Sequence, residues 1–300
     1  MLDYHLHLWP HGEQASGPTL EQVAAYCDRA TKAGVQEVAL TEHLFRFVQA
    51  DRALRGFWDD DPVADPTLRA RMAAYWDDHM GADLDRYMEV AIQAKQAGLP
   101  VVTGLEVDYY QGRMDKVAEL LADYPFDVLL GSVHWLGAWL FDWLDDGPSM
   151  AEWGLRGTEA AWAAYTTALE ELAGSGVCDV LAHPDLAKVA GYRPRMPLEH
   201  YDRMAEAAAR SGMAAEVSSA GWRKPAAEAY PAPELLSRFF ERGVPITTAS
   251  DAHRLGEVAH RADDLRVLVV GAGYHELCGF RGRKPHPLPV ALAPGVKVGS

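Results

Sequence analysis

Leu2-Asp3-Tyr4-His5-Leu6-His7-Leu8-Trp9-Pro10-His11-Gly12 is the stretch on which the reading of this chain turns. Taken as a strand over residues 2–8, it sets His5 and His7 on one face, because strand side chains alternate with a period of two. Two imidazoles on one face at a strand's end can share a metal ion, and His11 in the following Pro/Gly turn could serve a neighbouring ion. Thr19 is placed to cap a helix running to Lys32, and Ala33-Gly34 stops it. Residues 35–41 form a second strand ending in Glu42-His43. Strand, helix, strand in that order is a βαβ unit and predicts a parallel sheet.

The alternation continues. Strands are expected at 101–105, 126–134, 177–183, 213–217 and 244–250, and helices at 84–98, 112–124, 158–175, 197–212, 233–243 and 257–272. Between about 44 and 82 the pattern breaks into a long excursion holding Phe45, Phe47, Phe57 and Trp58, with a short helix near 68–79. An excursion of that length after a strand's C-terminal end suits a lid or a substrate wall. Polar residues punctuate the strand ends: His5/His7, His43, Glu106, His134, His183, Glu216 and Asp251/His253. Only a closed barrel gathers all those ends around one mouth. The expected fold is therefore α/β, a distorted (β/α)7 barrel forming one domain over 1–300, with 44–82 as a lid-like insertion.

Composition bounds the function. A net charge of −15 repels phosphate backbones, so no nucleic-acid partner is expected. No apolar run is long enough for a membrane span, and no signal peptide is visible, so no membrane association and a cytoplasmic location are expected. Cys27, Cys178 and Cys278 are scattered without metal or disulfide spacing, which fits a reducing compartment.

Seven of the twelve histidines (His5, His7, His11, His43, His134, His183 and His253) fall at strand ends or just beyond, joined by Glu106 and Asp251. Imidazole with carboxylate suits Zn, Fe or Mn better than Ca or Mg. Nine candidate ligands exceed the needs of one ion, and a carboxylate such as Glu106 can bridge two. Such ions acidify a shared water and neutralise a developing oxyanion, so the expected chemistry is hydrolysis, with Glu106, Asp251 and His253 as the candidate catalytic groups. His79, His200, His260, His275 and His286 fall off the pattern and are expected to be structural or at the surface.

The ordered set His5-Leu6-His7, Glu42-His43, Gly104-Leu105-Glu106, Gly131-Ser132-Val133-His134, His183-Pro184-Asp185 and Ser250-Asp251-Ala252-His253 resembles the polymerase-and-histidinol-phosphatase (PHP) superfamily. The segments Leu2-Asp3-Tyr4-His5, the run from Glu216 to Pro225, Tyr230-Pro231 and Gly273-Tyr274-His275-Glu276-Leu277 are similar to its histidinol-phosphatase branch. The resemblance implies three divalent ions. One would take His5, His7, Glu106 and Asp251, a second Glu106, His134 and His183, and the third His11, His43 and His253. It also implies hydrolysis of L-histidinol phosphate in histidine biosynthesis. The chain departs from the family in its short turn between His7 and His11 and in carrying Ser218-Ser219 where relatives often carry Asn-Thr.

A small phosphorylated substrate needs cations beyond the metals. Arg223 is the first candidate, because a guanidinium grips phosphate with two parallel hydrogen bonds. Lys188 and a hydroxyl from Ser218 are further candidates, with Arg193 and Arg195 behind them. Glu216, Asp142 and the aromatics of the excursion are candidates for the substrate's cationic end. Competing readings are another small-molecule phosphoesterase of the same superfamily, a metal-binding domain without turnover, and an amidohydrolase-type barrel.

Overall fold

The computed structural model describes residues 1–61 and 65–290; residues 62–64, with Pro62 of the expected excursion, and 291–300 lie outside the description. Seven strands run parallel in sequential order: β1 (Leu2–Asp3), β2 (Glu37–Leu40), β3 (Val101–Asp108), β4 (Val128–Ser132), β5 (Val180–Leu181), β6 (Ala214–Ser218) and β7 (Ile246–Ala249). The first and last strands meet. The Tyr4 amide donates to the Thr248 carbonyl at 3.0 Å and the His7 amide to the Ala252 carbonyl at 2.8 Å. The result is the nearly closed seven-stranded barrel that the strand-end pattern predicts.

The strands are buried on both faces, as near-continuous apolar runs in parallel sheets require. Gly104 lets β3 press against β4, since a Cβ there would sit 2.8 Å from the Val128 carbonyl. Helices cover the outside. Those at Leu20–Lys32, Leu84–Gln96, Thr158–Gly174, Pro197–Ser211 and Pro233–Glu241 match expectation within a few residues. Thr19 caps the first of them through the Gln22 amide, and Gly212 ends the Pro197–Ser211 helix in the left-handed conformation.

Several elements differ from the sequence reading. The first strand pairs regularly over only two residues, because beyond Asp3 its groups alternate between β7 and the Thr41 amide of β2's end. His5 and His7 nonetheless reach the same point. The expected helix over 257–272 begins at Ala262, after Ala259 and Arg261 adopt positive φ of 58° and 50°. A hairpin at Trp135–Leu136 and Trp139–Leu140, a helix at Gly147–Arg156 and a hairpin at Glu276–Arg281 and Lys284–Pro289 were not anticipated. The last closes the barrel floor: the Phe280 amide donates to the Tyr4 hydroxyl, and Arg283 pairs with Asp179 at 2.6 Å.

The excursion folds into helices at Val48–Leu54 and Pro66–His79. Phe57 and Trp58 turn inward and join Trp76, Tyr110 and Trp135, with ring centroids 5.0–6.5 Å apart. Each such ring contributes on the order of 1.5–3 kcal/mol by leaving water. Phe45 faces the barrel mouth instead. Among the described residues no helix is long and apolar enough to cross a membrane.

Candidate metal centre

Glu106, on β3, is the hub. Its Oε2 lies 2.7 Å from His43 Nδ1, 3.2 Å from His5 Nε2 and 3.5 Å from His7 Nε2. Its Oε1 lies 3.0 Å from His183 Nε2 and 3.4 Å from His134 Nε2. Asp251 Oδ1 approaches His7 Nε2 at 3.4 Å and His253 Nδ1 at 3.6 Å. His11 joins through its ring, stacked on His253 at 4.0 Å and 5.7 Å from His43. Parallel strands put each of these groups at one end of the barrel, so His7 and His253, 246 positions apart in the chain, stack with ring centroids 4.1 Å apart.

The donors fit a metal. His5 Nε2, both nitrogens of His7 and His43, His253 Nε2 and Glu106 Oε2 are buried without a hydrogen-bond partner. Orphaned buried polar atoms cost about 1–3 kcal/mol each, so so many in one place imply a missing electrophile. Among the described residues, four triads hold ligand atoms within 4.8 Å of one another: His7/His43/His253, His5/His7/Asp251, His5/Glu106/His183 and His43/Asp108/His134. Such mixed nitrogen and oxygen sets suit Zn, Fe or Mn.

Carboxylates behind the cluster aim the rings. His5 Nδ1 donates to Glu216 at 2.8 Å, and His134 Nδ1 donates to Asp108 at 2.6 Å. This leaves Nε2 of each pointing at Glu106, the arrangement by which outer carboxylates fix tautomer and raise ligand basicity. Glu216, anticipated at the substrate's cationic end, is instead fully buried behind His5 and also accepts the His183 amide. Asp108 was missed, although it stands two residues after Glu106 on the same strand face. Asp3 accepts the Ser250 amide and hydroxyl, each at 2.7 Å, and so anchors the turn in which Asp251 takes a φ of 51°. Strain of this kind gathers at functional sites.

Charge balances across the cluster. Burial alone would raise Glu106, but the His5, His43 and His134 imidazoles hold its carboxyl well below the usual range. Burial would lower His5, but Glu106 and Glu216 outweigh it and raise it well above the usual imidazole value. His43 and His253 are driven well below that value, chiefly by burial. Both are therefore neutral near pH 7, the form that binds a metal.

The cluster floors a cavity of about 310 Å³ whose wall includes Tyr75, Trp135, Asp142, Arg223 and Lys224. Arg223 Nη2 donates to the Ser250 and Asp251 carbonyls at 2.9 and 2.8 Å, while Nη1 is buried without a partner. Two expectations need correction. Lys188 is fully buried, and its Nζ is engaged by Asp185 at 2.7 Å, Glu228 at 2.8 Å and the Ala229 carbonyl at 2.7 Å, which uses its three donors. Ser218 lies beneath the wall, its hydroxyl accepting the Ala220 amide at 3.2 Å. Arg193 pairs with Glu228, and Arg195 is an exposed surface cation. Lys224, absent from the sequence-based set, does line the cavity.

A parallel barrel with imidazoles from separate strand ends converging on a shared carboxylate defines an α/β barrel with a candidate metal centre at its mouth. Residues 3–220 match the model of the PHP domain, and the chain belongs to that family. It is 38% identical over 198 residues to the "Probable histidinol-phosphatase" of Deinococcus radiodurans, a stretch covering 66% of this chain and 74% of the relative. The fold is shared with the histidinol phosphatase candidate hisK from Listeria monocytogenes, at TM-score 0.70 and 19% identity over 88% of this chain and 99% of the other. It is also shared with the histidinol phosphate phosphatase of Lactococcus lactis complexed with zinc, L-histidinol and phosphate, at TM-score 0.65 and 22% identity over 95% and 98% of the two chains.

Proposed function

We propose that the chain is a cytoplasmic, metal-dependent phosphomonoesterase that hydrolyses L-histidinol phosphate to L-histidinol and phosphate. The observation that carries the reading is the Glu106 carboxylate ringed by five imidazoles at the floor of a small cavity with an unsatisfied Arg223 nitrogen. The 38% identity to a relative bearing that name supports the substrate. Three divalent ions are proposed: one on His5, His7, Glu106 and Asp251, one on Glu106, His134 and His183, and one on His11, His43 and His253. When bound, they supply an acidified water and neutralise phosphate charge.

The protein's own groups do the rest. Glu106, the proposed bridge, holds the shared negative charge, and Asp251 with His253 closes the side of the floor nearest Arg223. Arg223 Nη1 has no protein partner, and a small turn of the guanidinium toward the cavity would let it take a phosphate oxygen while Nη2 stays on the Asp251 turn, so phosphate and ligand loop would be held by one guanidinium. Asp142 suits the cationic end of the substrate. Burial raises its pKa, and an arriving ammonium would draw it down again as His134 and Lys224 already do. A cavity of about 310 Å³ suits a small monoester.

A phosphate-release screen over histidinol phosphate, nucleotides and sugar phosphates tests the reading, with preference for histidinol phosphate expected. Preference for a sugar or nucleotide phosphate would move the protein to another phosphoesterase activity. Arg223→Ala is expected to raise KM about 10–100-fold, the effect of losing one hydrogen bond to a charged group. Steady-state kinetics check this, and an unchanged KM would remove Arg223 from the phosphate pocket.

A further inference from the structure

His11 is the one exposed residue among the nine candidate ligands, and it stands on a short turn followed by Gly12 at a φ of 77°. None of the other eight candidate ligands shares that turn, and no hydrogen bond to its ring is present among the described residues. Something else must fix it. The segment that does so is the end of the excursion. The Gly12 amide donates to His79 Nε2 at 2.9 Å, the Ala15 amide to the His79 carbonyl at 3.1 Å, and the Gln14 side chain to the Met80 carbonyl at 3.0 Å. Arg46, at the excursion's start and fully buried, donates to the Pro10 carbonyl at 3.3 Å. Gly81 comes so close that a Cβ there would meet the Gln14 side chain at 2.9 Å.

The tautomer of His79 follows from its partners. Nδ1 lies 2.7 Å from the Tyr75 carbonyl, which can only accept, so Nδ1 carries the proton and Nε2 is the bare acceptor that the Gly12 amide needs. Both ring nitrogens are thereby engaged, and His79 is not itself a ligand. We infer that His79 is a positioning residue for the outermost metal: the excursion acts as a brace that holds the His11 turn against His43 and His253. This rests on the reading of the cluster as a metal centre. It accounts for a histidine off the strand-end pattern, and for how so short a turn can present His11.

The test is zinc binding, measured as ions per chain after dialysis and as affinity against a competing chromogenic chelator. His79→Ala is expected to weaken one of the bound zinc ions about 10-fold or more, the lower end of what outer-shell substitutions cost, and to leave the others unchanged. His79→Gln, which keeps an acceptor near the Gly12 amide, is expected to retain the wild-type affinity. His79→Asn keeps a donor to Tyr75 but lacks the reach to Gly12, and is expected to behave like the alanine variant. If the alanine variant does not fold, the Gln and Asn pair decides the matter. Wild-type zinc content and affinity in the Asn variant, or equal losses in Gln and Asn, would overturn the inference. Wild-type protein that takes up no zinc would instead overturn the reading on which it rests.

Discussion

Glu106→Gln is expected to lower kcat by about two to four orders of magnitude while the barrel stays folded. The amide keeps the shape of the carboxylate but has one acceptor oxygen and no charge. It would turn an NH2 toward either the His5/His7/His43 side or the His134/His183 side, where imidazole nitrogens already lie within 3.5 Å of the carboxylate oxygens. Losing one preorganised group that stabilises charge in the site costs about 2.7–4 kcal/mol of barrier, loss of a bound ion adds to this, and each 1.36 kcal/mol is about tenfold in rate. The fold is spared because glutamine keeps one oxygen that can face His183 Nε2 as Oε1 does at 3.0 Å, Oε2 satisfies no hydrogen bond in the protein, and β3 is held by its backbone ladder to β4. Steady-state kinetics with zinc content and circular dichroism on the same sample check this. Wild-type turnover in the glutamine variant would remove Glu106 from the centre and, with it, the proposed chemistry.

The parts of this site that were legible in the sequence share one property: register fixes them. A residue at the C-terminal end of a parallel strand faces the barrel mouth whatever surrounds it, so His134, His183 and Asp251 could be placed together from spacing alone. Helix limits with a strong stop, such as Gly212, were legible for the same local reason. What depends on two distant loops was not. Lys188 reads as a free cation until Glu228, forty residues on, is brought to 2.8 Å from its Nζ. Glu216 lies on a strand face pointing inward, and nothing local says that it stops one shell short of the substrate, against His5. The aromatics of the excursion carry the same signal whether they line a cavity or fill a core. Phe45 took the first role, and Phe57 and Trp58 the second. Hairpin strands of two residues, as at Trp135–Leu136, are too short to show a period.

Stripping the metals with a strong chelator is expected to abolish phosphate release and to lower Tm. Ligand held a thousandfold above its Kd adds about 4 kcal/mol of stability, and about 2–4 °C per kcal/mol applies to a chain near this size, so a loss on the order of 10 °C per tightly bound ion follows. The two forms should also respond to pH with opposite signs. In the metal-free protein burial lowers His134, but Glu106 and Asp108 outweigh it and bring the imidazole up to about 10. An imidazole raised in the folded state stabilises fully below its unfolded value near 6.5, and that contribution disappears as pH rises through about 10. Burial pushes Asp108 up to about 6, and its neutral form likewise favours the fold below the ordinary aspartate range and less as pH passes 6. Glu106 and Asp251, both held low by neighbouring imidazoles, act in the other direction only in acid, below the ordinary carboxylate values. Metal-free protein should therefore lose Tm as pH rises from about 6 to about 9. Zinc-loaded protein needs neutral imidazoles, so its Tm should fall as pH drops through the histidine range. Melting both forms across that span checks the sign. Parallel curves would mean that protons and zinc do not compete for the same nitrogens, and the convergence on Glu106 would then have no role in holding metal.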